Sequence, residues 1–123
     1  MIIAIDFDGT CVYHAYPETG IAVPNAVASL RQLAKNHSLV LYTMRSGELL
    51  KRAVQWFDDN DITLSGVQYS KGQTDWTTSN KCYAHIYIDD AALGCPLKKG
   101  NGFLRPYADW TKIMDLLKQR GVE

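Results

Sequence analysis

Unbroken apolar runs alternate along this chain with apolar residues at helical spacing. Residues 1–7 (MIIAIDF) are apolar almost throughout, which predicts a strand buried on both faces. Pro24 and Asn25 mark a helix start, after which Ala26, Val27, Leu30, Leu33 and Ala34 recur at helical spacing. Residues 38–43 (SLVLYT) predict a second buried strand. Ser46 can cap a second helix, with Glu48 near its positive end, and Leu49, Leu50, Ala53, Val54 and Phe57 form its apolar face. Asp58, Asp59, Asn60 and Asp61 end that helix. A short third strand is expected over residues 62–67, interrupted by Ser65-Gly66. Residues 68–80 are polar, hold Gly72 and read mostly as loop; residues 84–88 are a fourth strand ending in Asp89-Asp90. Gly94, Pro96, Gly100 and Gly102 punctuate a further loop. A last amphipathic helix starts near Asp109, with Trp110, Ile113, Met114 and Leu117 on one face.

Buried strands alternating with amphipathic helices predict an α/β fold, a three-layer Rossmann-like parallel sheet with helices on both faces. The 123 residues suffice for a single domain, 1–123, with one core. Thirteen basic and thirteen acidic side chains cancel, so no bulk field draws the chain to nucleic acid or to an anionic membrane. The cysteines, Cys11, Cys82 and Cys95, have no zinc-like spacing, and free thiols fit a reducing compartment. The first residues lack a basic leader, and no apolar run reaches the length of a bilayer span. A soluble cytoplasmic protein is expected.

In open parallel sheets ligands bind beyond the carboxyl ends of the strands. Asp6 and Asp8, Thr43, and Asp89 and Asp90 all stand at such ends, so three segments are expected to converge on one edge. Four carboxylates gathered there repel one another unless a cation intervenes, and all-oxygen ligation with retained waters suits Mg²⁺. Thr43 offers a hydroxyl to a phosphate oxygen, and the turn after it offers backbone N–H groups near a helix start. Lys81, just before the fourth strand, can add a compact positive charge. Together these describe a phosphoryl site, in which one carboxylate can be nucleophile and another can carry a proton.

The stretch Asp6-Phe7-Asp8-Gly9-Thr10 resembles the first motif of the haloacid dehalogenase superfamily. Thr43 in LVLYTMR is similar to the second motif, Lys81 in SNKCYAHIYIDD to the third, and Asp89-Asp90 to the fourth. The four stand in the family's order and span nearly the whole chain. The resemblance implies that Asp6 attacks phosphorus and that Asp8 protonates the leaving oxygen and then activates water. It implies that Thr43 and Lys81 hold phosphoryl oxygens, with Gly9, Met44 and Arg45 also lining the substrate. Asp6, the main-chain carbonyl of Asp8, Asp89 and Asp90 would hold Mg²⁺. Residues 11–23 and 68–80 are too short for a folded cap, so a small capless member is expected, admitting a larger substrate or borrowing a lid from a second copy.

Simpler readings accompany each residue. Asp6 and Asp8 could be turn acids, or begin a calcium loop; the twelfth position of such a loop is Pro17 rather than glutamate. Arg45 either reaches substrate or pairs with a carboxylate. Tyr13, His14 and Tyr16 either pack the loop after the first motif or meet substrate, His14 as an added acid or base. Trp76 can stack on a base or pack, and His37 and His85 read as structural or solvated. The expected function is a Mg²⁺-dependent phosphomonoester hydrolase acting through an aspartyl-phosphate on a small phosphorylated substrate. The alternatives are a phosphatase of nucleotides or nucleic-acid ends, which the charge balance disfavours, and a phosphate- or metal-binding module without turnover.

Overall fold

The computed structural model describes residues 1–100 and 102–123. Four strands, β1 (Ile2–Ile5), β2 (Ser38–Leu41), β3 (Gly66–Val67) and β4 (Ile86–Ile88), form an all-parallel sheet in the order β3-β2-β1-β4. Helices α1 (Ala26–Asn36) and α2 (Gly47–Asp59) make the β1–β2 and β2–β3 crossovers. The chain then returns across the sheet to place β4 on the other side of β1. Strand order therefore reverses between β1 and β4, and the carboxyl ends of these two strands flank the switch point. Helix α3 (Trp110–Gln119) closes the chain.

Strand register explains both continuous apolar runs. Ile3 is paired with Leu39 and Ile86, and Ile5 with Leu41 and Ile88, so these six side chains share one face. They join one core with Leu30 and Leu33 of α1, Ala53, Trp56 and Phe57 of α2, and Trp110, Ile113 and Leu117 of α3. On the opposite face Ala4 and Val40 pack with Cys82, flanked by Tyr42 and Ala84. That third layer comes from the β3–β4 crossover, where the helix is a single 3₁₀ turn, Gln73–Asp75, rather than an α-helix. A polar segment with no apolar period has nothing with which to build a longer one.

Two elements differ from expectation. The third strand, expected over six residues, is reduced to Gly66–Val67, because Ile62 turns back into the core and donates its N–H to the Phe57 carbonyl instead of to the sheet. The stretch expected to be a loop around Gly94 to Gly102 contains an antiparallel hairpin, β5 (Leu97–Gly100) with β6 (Phe103–Ala108). Its strands carry Lys98 and Lys99 where an apolar alternation would be sought, which hides them from periodicity. Among the described residues there is no cap domain, and no helix is long and apolar enough to cross a membrane.

Candidate active site

Beyond β1 the chain must leave the sheet sharply while keeping two acids at its edge. Asp6 stays in the ladder by donating its N–H to Ile88 O at 2.9 Å. Phe7 turns inward, fully buried, with its ring 5.6 Å from Trp56 and 6.2 Å from Phe57. The N–H groups of Thr10 and Cys11 both return to Phe7 O, closing a tight loop. Gly9 within it has φ +82°, and a Cβ there would overlap the His14 ring and the Asp90 carboxylate. Glycine is thus required twice, for its backbone angle and for the room it leaves.

Asp6, Asp89 and Asp90 offer carboxylate oxygens that all lie within 4.8 Å of one another. The hydroxyl of Thr10 lies 3.1 Å from both Asp6 Oδ2 and Asp90 Oδ1 and accepts the Asp90 N–H at 3.0 Å. One proton serves one carboxylate at a time, so Thr10 ties the two acids together without neutralising either. Burial, a hydrogen bond with Asp90, and the charges of Asp89 and Asp90 push the Asp6 carboxyl up to about 8. Such a cluster resists full ionisation unless a cation supplies the missing charge. Its donor set, hard oxygens at a sheet edge, fits Mg²⁺.

Asp8 faces elsewhere. Its two oxygens take a bidentate pair from Arg45, Nε to Oδ2 and Nη2 to Oδ1, both at 2.8 Å. Its carboxylate is therefore not part of the three-acid cluster, and the main-chain carbonyl is the part of Asp8 that the resemblance assigns to a metal. Arg45 is 1% exposed. Its Nη2 also donates to Glu18 O at 2.8 Å, and its guanidinium lies over the rings of Phe7 and Tyr16, 5.0 and 5.4 Å from their centroids. Of the two readings of Arg45, the structure takes the carboxylate pair. The Asp8 bond is the main reason the guanidinium holds its proton more tightly than usual.

Thr43 is fixed from both sides by Gln68, whose amide oxygen accepts the Thr43 N–H at 2.9 Å and whose amide nitrogen donates to Thr43 O at 2.7 Å. The Thr43 hydroxyl accepts the Arg45 N–H at 3.2 Å, forming the turn that leads to α2. Ser46 occupies the N-cap of α2 as expected, but its side chain makes no cap bond; Glu48 lies in the first turn. Met44 projects into solvent at 97% exposure. Lys81 makes no ion pair with the cluster. Its ammonium rests over the Tyr87 ring, 5.3 Å from the centroid, and pairs with no acid among the described residues. Its backbone is held by Gln73, whose amide donates to Lys81 O at 2.7 Å.

The neighbouring aromatics divide. Tyr13 is buried and stacks on Phe103 with centroids 3.7 Å apart, the packing role. His14 joins the site instead, with Nε2 3.1 Å from Asp90 Oδ2. Tyr16 covers Arg45, and Trp76 packs edge-on against Tyr83 while staying 64% exposed. His37 and His85 tie down the first strand through Met1 and Ile2. Sequence reasoning missed Thr10 and Gln68 as organisers. Thr10 stands in the first motif, which assigns it no role of its own, and nothing local distinguishes Gln68 from other polar loop residues. Trp110 adds a further support, donating its indole N–H to Thr10 O at 2.7 Å.

No protein-family model matches the chain. No curated protein matches it either. Among solved structures, a conserved protein coded by a locus of Bacteroides thetaiotaomicron superposes with a TM-score of 0.77 at 31% identity. The match covers 98% of this chain and 91% of that one. With the whole fold and nearly a third of its residues held in common, this chain belongs to the same family as that conserved Bacteroides protein.

Proposed function

We propose that the protein is a Mg²⁺-dependent phosphomonoester hydrolase of the haloacid dehalogenase type, acting through an aspartyl-phosphate on Asp6. One observation carries the reading. Asp6, Asp89 and Asp90 meet within 4.8 Å beside the β1–β4 switch point, while Asp8, two residues after Asp6, is held apart from them by Arg45. Two acids so close in sequence but in different surroundings suit different tasks, nucleophile and proton carrier.

In this reading an Asp6 oxygen attacks phosphorus and the ester P–O bond breaks. The departing oxygen takes a proton from Asp8. Asp8 then removes a proton from water, which attacks the phosphorus of phospho-Asp6, releasing inorganic phosphate and restoring the carboxylate. Asp6, Asp89 and Asp90 would hold Mg²⁺, with the Asp8 carbonyl as a further ligand. Bound there, the ion supplies charge neutralisation for the acids and for the phosphoryl oxygens. Arg45 orients Asp8, Gln68 orients Thr43 toward a phosphoryl oxygen, and Lys81, on its flexible four-carbon stem, would swing from Tyr87 toward the phosphate. The three free cysteines fit a cytoplasmic location.

Purified protein should release phosphate from small esters only with Mg²⁺, and Asp6→Asn should abolish the release. Beryllofluoride should bind at Asp6. An anion seated elsewhere, or Asp6→Asn retaining activity, would sink the assignment. The bidentate Asp8–Arg45 pair and the seat of Lys81 over Tyr87 favour one second reading, a phosphate-binding module without turnover. Beryllofluoride binding with no hydrolysis across a broad ester panel would select it.

A further inference from the structure

The β5–β6 hairpin is docked onto the candidate site itself. Ala108 donates its N–H to Gly9 O at 2.9 Å, inside the loop that follows the first motif. Phe103, Arg105 and Tyr107 alternate along β6 and so share one face of it. Two of the three rest on that same loop: Phe103 stacks on Tyr13, interplanar angle 9°, and Tyr107 meets Tyr13 edge-on at 4.8 Å. The third, Arg105, is exposed and pairs with no acid among the described residues.

Next to Tyr13 in sequence stands His14, which touches the Asp90 carboxylate. His14, Gly102, Phe103 and Arg105 line a cavity of about 360 Å³. One wall of this cavity thus contacts the three-acid cluster, and an unpaired guanidinium forms another. Residues 97–108 carry Lys98, Lys99 and Arg105 and no acid, in a chain whose charges cancel as a whole. A cation-bearing hairpin beside a carboxylate cluster is a divided site. The cluster, with the cation it would hold, suits a phosphate, and the arginine suits a second planar or tetrahedral anion.

We propose that this cavity receives the leaving group of the ester and that Arg105 binds a second anionic group on it, a carboxylate or a further phosphate. The inference rests on the phosphatase reading and narrows its substrate class to small phosphate esters with two anionic ends. In this capless protein the hairpin does the selecting that a cap would otherwise do.

The test uses two matched pairs of esters in saturating Mg²⁺. Ethyl phosphate against phosphoglycolate reads a carboxylate, and glucose 6-phosphate against glucose 1,6-bisphosphate reads a second phosphate. At least one ester with two anionic ends should be favoured about tenfold or more in kcat/KM. Arg105→Ala should bring that ratio close to one, chiefly by raising KM, and Arg105→Lys should restore part of it. A ratio below about twofold in both pairs, or one that survives Arg105→Ala, overturns the inference. Calorimetric titration of the Asp6→Asn protein with the same esters reads the preference without turnover. An Arg105-dependent preference in binding with no hydrolysis by the wild type upholds the pocket and removes the hydrolase reading. Hydrolysis of all four esters with equal efficiency does the reverse.

Discussion

The charge balance around Asp6 makes the metal-free protein's stability depend on pH in an unusual direction. Most native carboxylates ionise more readily than in the unfolded chain and stabilise the fold as pH rises. Asp6 is pushed the other way, up to about 8, first by burial and then by Asp90 and Asp89. Between its unfolded value near 4 and about 8 the native state binds a proton that the unfolded state has released. The favourable contribution is complete below about 4 and is lost as pH climbs to 8. Where the difference is a whole proton the slope approaches about 1.4 kcal/mol per pH unit. The perturbation is Asp6→Asn, which removes the titrating group and keeps the shape. Urea denaturation in EDTA at pH 5.5, 6.5 and 7.5 should show the wild type losing stability relative to the variant by about 1 kcal/mol per step. Mg²⁺ should reverse the loss. At a hundredfold excess over its dissociation constant it stabilises by about 2.7 kcal/mol, more effectively at pH 7.5 than at 5.5 because the ion competes with that proton. If wild type and Asp6→Asn run parallel in pH without metal, the carboxylates do not form the strained cluster described above, and the argument for a cation fails with it.

Replacing Arg45 by Met leaves Asp8 with no charge partner; a loss of about 3 kcal/mol is expected by denaturation, toward the lower end for buried pairs because Asp8 stays one-fifth exposed. Arg45→Lys cannot restore the two-pronged bond and should recover less than half of that stability, whereas full recovery would mean that only charge matters. Gly9→Ala must strain a left-handed backbone by about 1–2 kcal/mol and displace His14 or Asp90, so calorimetry should show Mg²⁺ affinity falling more than tenfold; unchanged affinity would mean that this loop does not shape the acidic cluster. Gln68→Leu removes both amide bonds to Thr43, and each contributes about 1 kcal/mol net. Phosphate or beryllofluoride binding should weaken in that variant while Mg²⁺ binding holds, and equal weakening of both would refute a role confined to Thr43.

What the amino-acid order determined alone is what depends on near neighbours. The continuous apolar runs around Ile3–Ile5 and Leu39–Leu41 imply burial on both faces and hence a parallel sheet. Strand ends are polar, so Asp6, Thr43 and Asp89-Asp90 were legible as residents of one edge, because parallel strands put all their carboxyl ends on the same side. The tertiary structure decided what depends on distance in space. Asp8 turns away from its near neighbour Asp6 because Arg45, 37 residues on, offers a buried fork of donors that no local rule could have assigned to it. Thr10 becomes a bridge only when β4 delivers Asp90 from 80 residues away. Gln68 becomes a clamp only because β3 lies beside β2. The β5–β6 hairpin lacks a period of its own and settles where Tyr13 and Gly9 receive it. Periodicity records how a segment meets the core. The pairing of one polar group with another is recorded nowhere along the chain, and only folding brings the partners within reach.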